Sequence, residues 1–388
     1  MSRKIRMGMV GGGQGAFIGG VHRMAANLDG QIELVCGAFS SSPEKSKASG
    51  KELFLPEERC YGSYEEMFAA EKQLPLGERM DFVSIVTPNF MHFPVAKAAL
   101  ENGFNVLSDK PMTFDLAEAK ELEKIVNQTG LLFGLTHNYT GYPLVKHAKA
   151  AIADGEIGKV RKIVVEYPQG WLASALEEDG QKQADWRTDP KRAGSSCCMG
   201  DIGTHAENLA EYMTGLEIDE LCCEFTTFVE GRLLEDDGNC LIRYKGGAKG
   251  ILFASQISID EENGLNIRIY GEKGGFIWKQ EEPNTLIRTY LDRPREILRS
   301  GGNYADRLSP SAIHNSRLPA GHPEAFIEAF ANIYRNYACT LRSILNGEKP
   351  NELDLDFPNV EDGVRGMAFI ETCVDSAKNG AVWTKFKS

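Results

Sequence analysis

The sequence is short of positive charge: 43 Lys and Arg stand against 55 Asp and Glu, a net charge of −12. That balance speaks against the clustered basic surfaces through which proteins attract nucleic acid or anionic membranes. The chain also lacks any run approaching the roughly 20 apolar residues that a membrane-spanning helix needs. Its first residues, Met1 to Arg6, pass straight into a strand pattern without the apolar segment of a secretory leader. Cysteine is present but unorganised. Nine residues, Cys36, Cys60, Cys197, Cys198, Cys222, Cys223, Cys240, Cys339 and Cys373, form an odd set with no Cys-x-x-Cys spacing. The expectation is a cytoplasmic protein with reduced, mostly buried thiols, no metal site, a small-molecule partner, and neither nucleic acid nor membrane as partner. There is no internal repeat and no low-complexity tract.

At 388 residues the chain exceeds what one hydrophobic core supports, and with 42% apolar residues it has material for two. Residues 5–10 and 31–38 are apolar runs separated by enough chain for a crossover helix, which makes a parallel βαβ unit. The alternation continues with strands at 81–87, 105–108 and 131–135 and helices at 94–102 and 116–128. It predicts an α/β domain with a doubly wound parallel sheet over 1–137. Beyond it, strand-like runs at 159–167, 221–230, 239–245, 249–259, 265–270 and 275–279 follow one another. Asp237-Gly238, Gly246-Gly247, Asn263-Gly264 and Gly274-Gly275 read as turns between them. A second, α+β domain over 138–388 is therefore expected, with a large, mostly antiparallel open sheet and helices at 205–214 and 323–346. The Gly-, Ser- and Pro-rich stretch 300–322 is too long for a simple connection and reads as a lid or subunit contact.

The first strand ends in Gly11-Gly12-Gly13-Gln14-Gly15-Ala16-Phe17-Ile18-Gly19. Glycines there permit a tight turn and let backbone N–H groups approach a pyrophosphate at a helix N-terminus. The third glycine of the usual pattern best matches Gly19, about three residues late. After the second strand, where an acid would bind the adenosine ribose of NAD, the chain reads Phe39-Ser40-Ser41-Ser42-Pro43-Glu44-Lys45. Ser40, Ser41 and Lys45 could hold a 2′-phosphate, or the stretch is an ordinary Ser-Pro helix start. Two further strand ends, Thr87-Pro88-Asn89 with His92 and Asp109-Lys110-Pro111, lie at the carboxyl edge where open parallel sheets bind ligands. Lys110 reads as functional. His92 is open between cofactor contact, helix capping and packing.

Asp201-Ile202-Gly203-Thr204-His205 stands at the start of a helix, and its spacing of four would put a carboxylate and an imidazole on one face, which suits proton transfer. Just upstream, Trp171, Trp186 and Arg187 suit either the grip of a sugar ring or packing. His137, Asn138, Tyr139 and Tyr142, where the two predicted domains join, are similarly open, and His314 and His322 carry little weight. Glu235-Asp236-Asp237 reads as a solvated turn.

Together these motifs resemble the family of glucose-fructose oxidoreductase, inositol dehydrogenase and rhizopine catabolism proteins (Gfo/Idh/MocA). The glycine loop, Thr87-Pro88-Asn89 with His92, Asp109-Lys110-Pro111 in place of the commoner Glu-Lys-Pro, Trp186-Arg187 and Asp201 to His205 occur in that family's order and spacing. The resemblance implies a Rossmann domain binding NAD or NADP through Gly11, Gly13, Gln14, Phe17, Ile18, Ser40, Ser41, Lys45, Thr87, Pro88, Asn89, His92, Asp109, Lys110 and Asn138. It implies oxidation or reduction at a secondary alcohol carbon of an inositol, aldose or pyranoside, with Lys110, Asp201 and His205 catalytic. Tyr139, Trp171, Trp186 and Arg187 would join them in binding substrate. A homodimer or homotetramer through the C-terminal sheet is implied as well. Two other activities remain within reach of the same residues: a glycoside hydrolase that retains its nicotinamide, and a non-catalytic dinucleotide-binding sensor.

Overall fold

A computed structural model describes residues 3–301 and 307–387. In chain order the first elements are β1 (Ile5–Gly11), α1 (Phe17–Leu28), β2 (Ile32–Ala38), α2 (Pro43–Glu52), α3 (Tyr64–Gln73), β3 (Phe82–Val86), α4 (His92–Glu101), β4 (Asn105–Ser108), α5 (Leu116–Thr129) and β5 (Phe133–Leu135). Then come α6 (Pro143–Ala153), β6 (Val160–Pro168), α7 (Lys182–Arg187), α8 (Pro190–Ala193), α9 (Thr204–Thr214), β7 (Ile218–Thr226), β8 (Asp237–Tyr244) and β9 (Lys249–Ser255). The chain closes with β10 (Asn266–Gly271), β11 (Gly274–Lys279), β12 (Thr285–Tyr290), β13 (Glu296–Arg299), α10 (Pro310–His314), α11 (Phe326–Leu345), α12 (Val360–Lys378) and β14 (Thr384–Lys385). None of the helices among the described residues is long and apolar enough to cross a membrane.

The chain divides into two compact units. The first runs to Asn138 and takes in Phe326–Val364 as well. Its five strands are parallel in the order β2-β1-β3-β4-β5. Strands covered on both faces read as continuous apolar runs, and β3 is buried at every position from Phe82 to Val86. The connecting helices start and stop on local chemistry: Asp115 accepts from the Glu118 N–H to cap α5, and Gly130, at φ +64°, ends it in the left-handed region.

The sequence reading placed 138–388 in one domain, whereas α11 packs within the first unit. Phe330, Ile333, Tyr334, Tyr337, Ala338 and Leu341 recur at helical spacing and share one core with Ile5 and Met7 of β1 and with Val21 and Ala25 of α1. Nothing local in 326–345 names the surface that this stripe covers.

The second unit comprises Tyr139–Ala325 and the chain from Arg365 onward. It is built on a nine-stranded sheet in the order β13-β12-β11-β10-β6-β9-β8-β7-β14, antiparallel except for the β6–β9 pair. Alternation sorts its faces. Ile163, Val165 and Tyr167 of β6 point inward and are buried. On the opposite face, the register joins Cys222, Leu241, Ile251 and Val164 in one cross-strand row, which passes Arg268 and continues through Ile277, Ile287 and Ile297. Leu241, Ile251 and Ile297 are exposed there.

Several expectations in this unit need correction. Asp237-Gly238 is not a turn but the start of β8, paired with Thr226 and Phe225. Glu235, Asp236 and Asp237 are not solvated, being only 5%, 0% and 9% exposed. Arg232 accounts for part of this, donating to Asp236 Oδ2 at 3.2 Å and to Glu177 Oε1 at 2.7 Å from an almost fully buried side chain. The stretch 300–322 contains α10, capped by Ser309 through the Ala312 N–H. Residues 302–306 of it lie outside the described residues.

If α11 completes the first unit, Phe330→Ala should destabilise that unit by about 3–5 kcal/mol, the usual cost of emptying a buried aromatic site. Denaturant unfolding followed by a probe in the first unit checks it, and a loss below 1 kcal/mol would contradict the packing described.

Candidate active site

The carboxyl edge of the parallel sheet gathers the predicted cofactor residues. Gly11 and Gly12 have φ of +81° and +68°, and a Cβ on Gly11 would lie 2.3 Å from Val86 O. Gly19 fills the third-glycine role despite the insertion: a Cβ there would lie 2.3 Å from Gly12 O, so α1 can approach the strand end only because that atom is missing. Ala16 precedes α1 without a side-chain cap, leaving its first N–H groups without a side-chain acceptor from that residue. Gln14 is exposed, its N–H donating to Ser49 Oγ and its side chain to Glu52. Phe17 is exposed and Ile18 half-buried. After β2, Ser42 caps α2 and donates to Glu44, while Ser40 Oγ accepts from the Ser42 N–H. Ser41 and Lys45 stay exposed.

The next two strand ends are tied together. His92 is buried, with Nδ1 2.6 Å from Pro111 O and Nε2 2.9 Å from Thr87 O. Burial pushes its pKa down, and the nearby Lys110 charge adds to that. Asp109 and the two carbonyls oppose the shift without reversing it. Asp109 accepts from the Lys110 N–H at 2.9 Å and from Thr136 Oγ1 at 2.9 Å, and its other oxygen stands 3.5 Å from His22 Nε2. Burial alone would raise the Asp109 pKa. The facing His22 ring, the Lys110 charge and, to a smaller extent, His92 outweigh it, holding the carboxylate well below the usual range. His22 Nδ1 in turn meets Tyr334 Oη at 2.7 Å, and that hydroxyl meets Ser84 Oγ at 2.8 Å. His22, Ser84 and Tyr334 were not singled out in the sequence, because their partners stand up to 312 residues away. Near the same lysine, His137 is pushed down to about 3, by burial first and then by the Lys110 charge, with Asp109 opposing. Asn89 is buried beside Thr87 and Pro88.

In the second unit, Asp201 sits in a π turn, Met199–Gly203, that precedes α9. The Thr204 N–H reaches back five residues to Met199 O. The four-residue spacing from Asp201 to His205 is therefore not the α-helical one assumed from the sequence, and π turns of this kind often mark functional sites. Asp201 Oδ2 accepts from Arg187 Nε at 3.0 Å and from Gln256 Nε2 at 2.9 Å. Arg187 lies over the Trp186 ring at 4.2 Å and the Trp171 ring at 5.8 Å. The predicted aromatic and basic residues thus hold one another, and the guanidinium is committed to Asp201. The buried His205 ring meets Tyr139 edge-on at 4.8 Å between centroids, with Tyr167 at 6.3 Å. The Tyr139 and Tyr167 hydroxyls are hydrogen-bonded to each other, Tyr167 donates to Asn263 Oδ1 at 2.6 Å, and Asn263 Nδ2 donates to Tyr139 at 3.3 Å. Gln169 donates from Nε2 to Asn263 Oδ1 at 2.8 Å and accepts from Trp171 Nε1 at Oε1. Tyr142 packs on Trp278. His322 lies exposed on its loop, and His314 ends α10.

Elsewhere in this unit, Cys223, Cys240 and Cys373 are buried with their sulfurs within 4.8 Å of one another. Sequence spacing gave no sign of this group, because β7, β8 and α12 bring it together. All nine cysteines are free thiols.

An unfolded imidazole takes up its proton near pH 6.5. Folded His137 resists protonation down to about 3, so the stability it contributes is complete above pH 6.5 and is lost as pH falls toward 3. The melting temperature of the wild type should therefore drop more steeply from pH 7 to 4 than that of His137→Gln. Parallel curves would show that the ring is not held neutral.

Against known proteins, residues 5–137 match the model described as "Oxidoreductase family, NAD-binding Rossmann fold", and residues 145–277 match the GFO/IDH/MocA C-terminal domain. "Uncharacterized oxidoreductase YfiI" of Bacillus subtilis (strain 168) is 35% identical over 390 residues, spanning 100% of this chain and 98% of that protein. The crystal structure of an inositol dehydrogenase homolog from Azotobacter vinelandii complexed with NAD+ superposes with a TM-score of 0.94 at 36% identity, covering 100% of this chain and 98% of that one. The same homolog complexed with NADH and myo-inositol gives a TM-score of 0.91 at 35% identity, with the same coverage. The first unit is thus an NAD-binding Rossmann domain, the protein is an oxidoreductase, and the chain belongs to the Gfo/Idh/MocA family.

Proposed function

We propose that the protein is an NAD(P)-dependent dehydrogenase acting at a secondary alcohol carbon of an uncharged cyclic polyol or sugar, with an inositol as the first substrate to test. The observation that carries this reading is the setting of Asp201 and His205. Arg187 and Gln256 fix the carboxylate, the rings beside the imidazole are those of Tyr139 and Tyr167, and the hydroxyls of these tyrosines join the amides of Asn263 and Gln169 in one hydrogen-bonded network. Such neutral donors and acceptors match a ring of hydroxyls, and the neighbouring Arg187 guanidinium already donates to Asp201 and Gln183. The likeness to a homolog complexed with NADH and myo-inositol supports the same substrate class.

The residues at the first unit's sheet edge fit a dinucleotide. Beyond the glycine turn and the uncapped start of α1, Thr87 Oγ1 and Asn138 Nδ2 are buried with no hydrogen-bonding partner among the described residues. Buried polar atoms ordinarily find partners, so these two suit contact with a ligand. Gly11, Gly13, Gln14, Phe17 and Ile18 would hold the pyrophosphate, Ser40, Ser41 and Lys45 the adenosine ribose, and Thr87, Pro88, Asn89, His92, Asp109, Lys110 and Asn138 the nicotinamide end. When bound, NAD(P) supplies the two-electron acceptor or donor for the carbinol carbon. Lys110 Nζ donates a hydrogen bond to the reacting oxygen, stabilising charge as the O–H proton leaves. His205 takes that proton at an imidazole nitrogen. Asp201 orients substrate and His205, and Tyr139, Trp171, Trp186 and Arg187 shape the sugar site.

Purified protein with NAD or NADP and a panel of inositols, aldoses and glycosides should generate reduced-nicotinamide absorbance with at least one inositol or aldose. Lys110→Ala, Asp201→Asn and His205→Ala should each lower kcat by about 10²–10⁴-fold without loss of the folded state. Cleavage of a glycoside with no net change in cofactor would instead identify the nicotinamide-retaining hydrolase. Unchanged turnover in all three variants would remove the catalytic assignment.

The apolar row on the open face of the nine-stranded sheet is proposed to meet a second copy of the chain, since an exposed stripe of this kind is an association surface. Sedimentation should show a dimer or tetramer that dissociates when Leu241 and Ile251 are both replaced by Glu. A monomeric wild type would refute this.

A further inference from the structure

Glu235 is a buried acid with no part in the chemistry proposed above. It lies between β7 and β8, and its Oε1 accepts from Ser196 Oγ at 2.5 Å and from the Met199 N–H at 3.0 Å. Ser196 Oγ accepts from the Gly200 N–H at 2.8 Å, and Glu235 O accepts from the Cys198 N–H at 3.2 Å. Residues 196–200 are thus fastened to one side chain and its own backbone. Met199 opens the π turn whose third residue is Asp201. The first N–H groups of any helical turn have no acceptor within it, and Glu235 supplies one from outside. The neighbouring residue completes the hold, because Asp236 O accepts from the Gln256 N–H at 2.9 Å, and Gln256 is one of the two groups donating to Asp201.

We propose that Glu235 is a positioning residue for the dehydrogenase reaction: by accepting from Met199 and Ser196 it fixes the π turn, and with it the place of the Asp201 carboxylate against Arg187 and Gln256. The inference rests on the assignment of Asp201 to substrate handling. An anchor of this kind acts through geometry, and a displacement of about 1 Å at a positioned group can cost 10²-fold in rate.

The same residue gives the anchor a dependence on pH. Burial raises the Glu235 carboxyl to about 7, against the pull of Ser196, of the Met199 N–H, of its own N–H and of the Cys197 N–H. Arg232, Asp236 and Asp237 lie on its own segment, Cys197 and Cys198 face it from just before the turn, and Cys197 is in turn within the field of Asp201 and of Arg187 of α7. Its folded pKa stands above the unfolded value of about 4.3. The stability associated with its neutral form is therefore complete below that value and is lost as pH rises through 7. The ionised form is the better acceptor for Ser196 and Met199, so the turn is held most firmly on the alkaline side.

Four proteins test this: wild type, Glu235→Ala, Glu235→Gln and Asp201→Asn. Glu235→Ala, folded by circular dichroism, should raise the polyol KM and lower kcat/KM by about 10²-fold with the KM for NAD unchanged. Glu235→Gln, which keeps an acceptor oxygen without the charge, should restore activity to within a few-fold. Its melting temperature should gain on the wild type as pH rises from 5 to 8. Wild-type kinetics in Glu235→Ala would overturn the inference. Should Glu235→Ala not fold, superimposable pH–rate profiles and parallel melting curves for wild type and Glu235→Gln would overturn it equally. If Asp201→Asn is fully active, the functional reading itself fails; if Asp201→Asn is inactive while Glu235→Ala is normal, only the present inference falls.

Discussion

An ionised carboxylate held in a largely dry setting needs donors and positive charge around it, and Asp109 shows what that requirement organises. Its oxygens take up the Lys110 N–H and the Thr136 hydroxyl and face His22. His22 comes from α1 and leans on Tyr334 of α11, which also meets Ser84 of β3. One negative charge at the end of β4 is thereby braced by groups from α1, α11 and β3 and by the residue that follows β5. Burial first, and the Lys110 charge after it, keep His92 and His137 below their ordinary pKa against the pull of Asp109, so that Lys110 stands among neutral imidazoles with Asp109 as the nearby counter-charge. Removing a partner from such a cluster leaves an uncompensated buried group, which costs more than the pair itself contributes.

The second unit solves a similar problem with different materials. Asp201 is held by a guanidinium that itself rests on two indole rings, so the orientation of the charge depends on flat, well-packed surfaces more than on further charges. The hydroxyl and amide network of Tyr139, Tyr167, Gln169 and Asn263 is neutral throughout. Charge is concentrated at one carboxylate, and shape and hydrogen bonding surround it.

The sequence is legible where the physics is local. Apolar runs separated by crossover lengths gave the parallel sheet, and Gly19 was matched to its place despite the insertion, because a glycine needed for close approach has no substitute. Elements whose identity depends on distant partners were missed. The surface that Val360, Met367, Ile370 and Val374 cover is not named by their own stretch, and β13 and β14 are short edge strands that exist through pairing. Glu235-Asp236-Asp237 looked solvated because three adjacent acids ordinarily are, and the Arg232, Ser196 and Met199 groups that take them in are not adjacent in sequence. The π turn at Met199–Gly203 has no signature in residue type, since its extra residue per turn is imposed from outside.

The return of the chain at Phe326 has a consequence for biosynthesis. The core that joins β1 and α1 also needs Phe330, Tyr334, Tyr337 and Leu341. A ribosome makes these residues only after the whole nine-stranded sheet except β14 has been translated. Until then Ile5, Met7, Val21 and Ala25 have one face of their core unfilled, and the nascent protein carries an exposed apolar surface through most of its synthesis. The earliest part of the chain is thus among the last to reach its final packing, and chaperones would find their substrate at the N-terminal end.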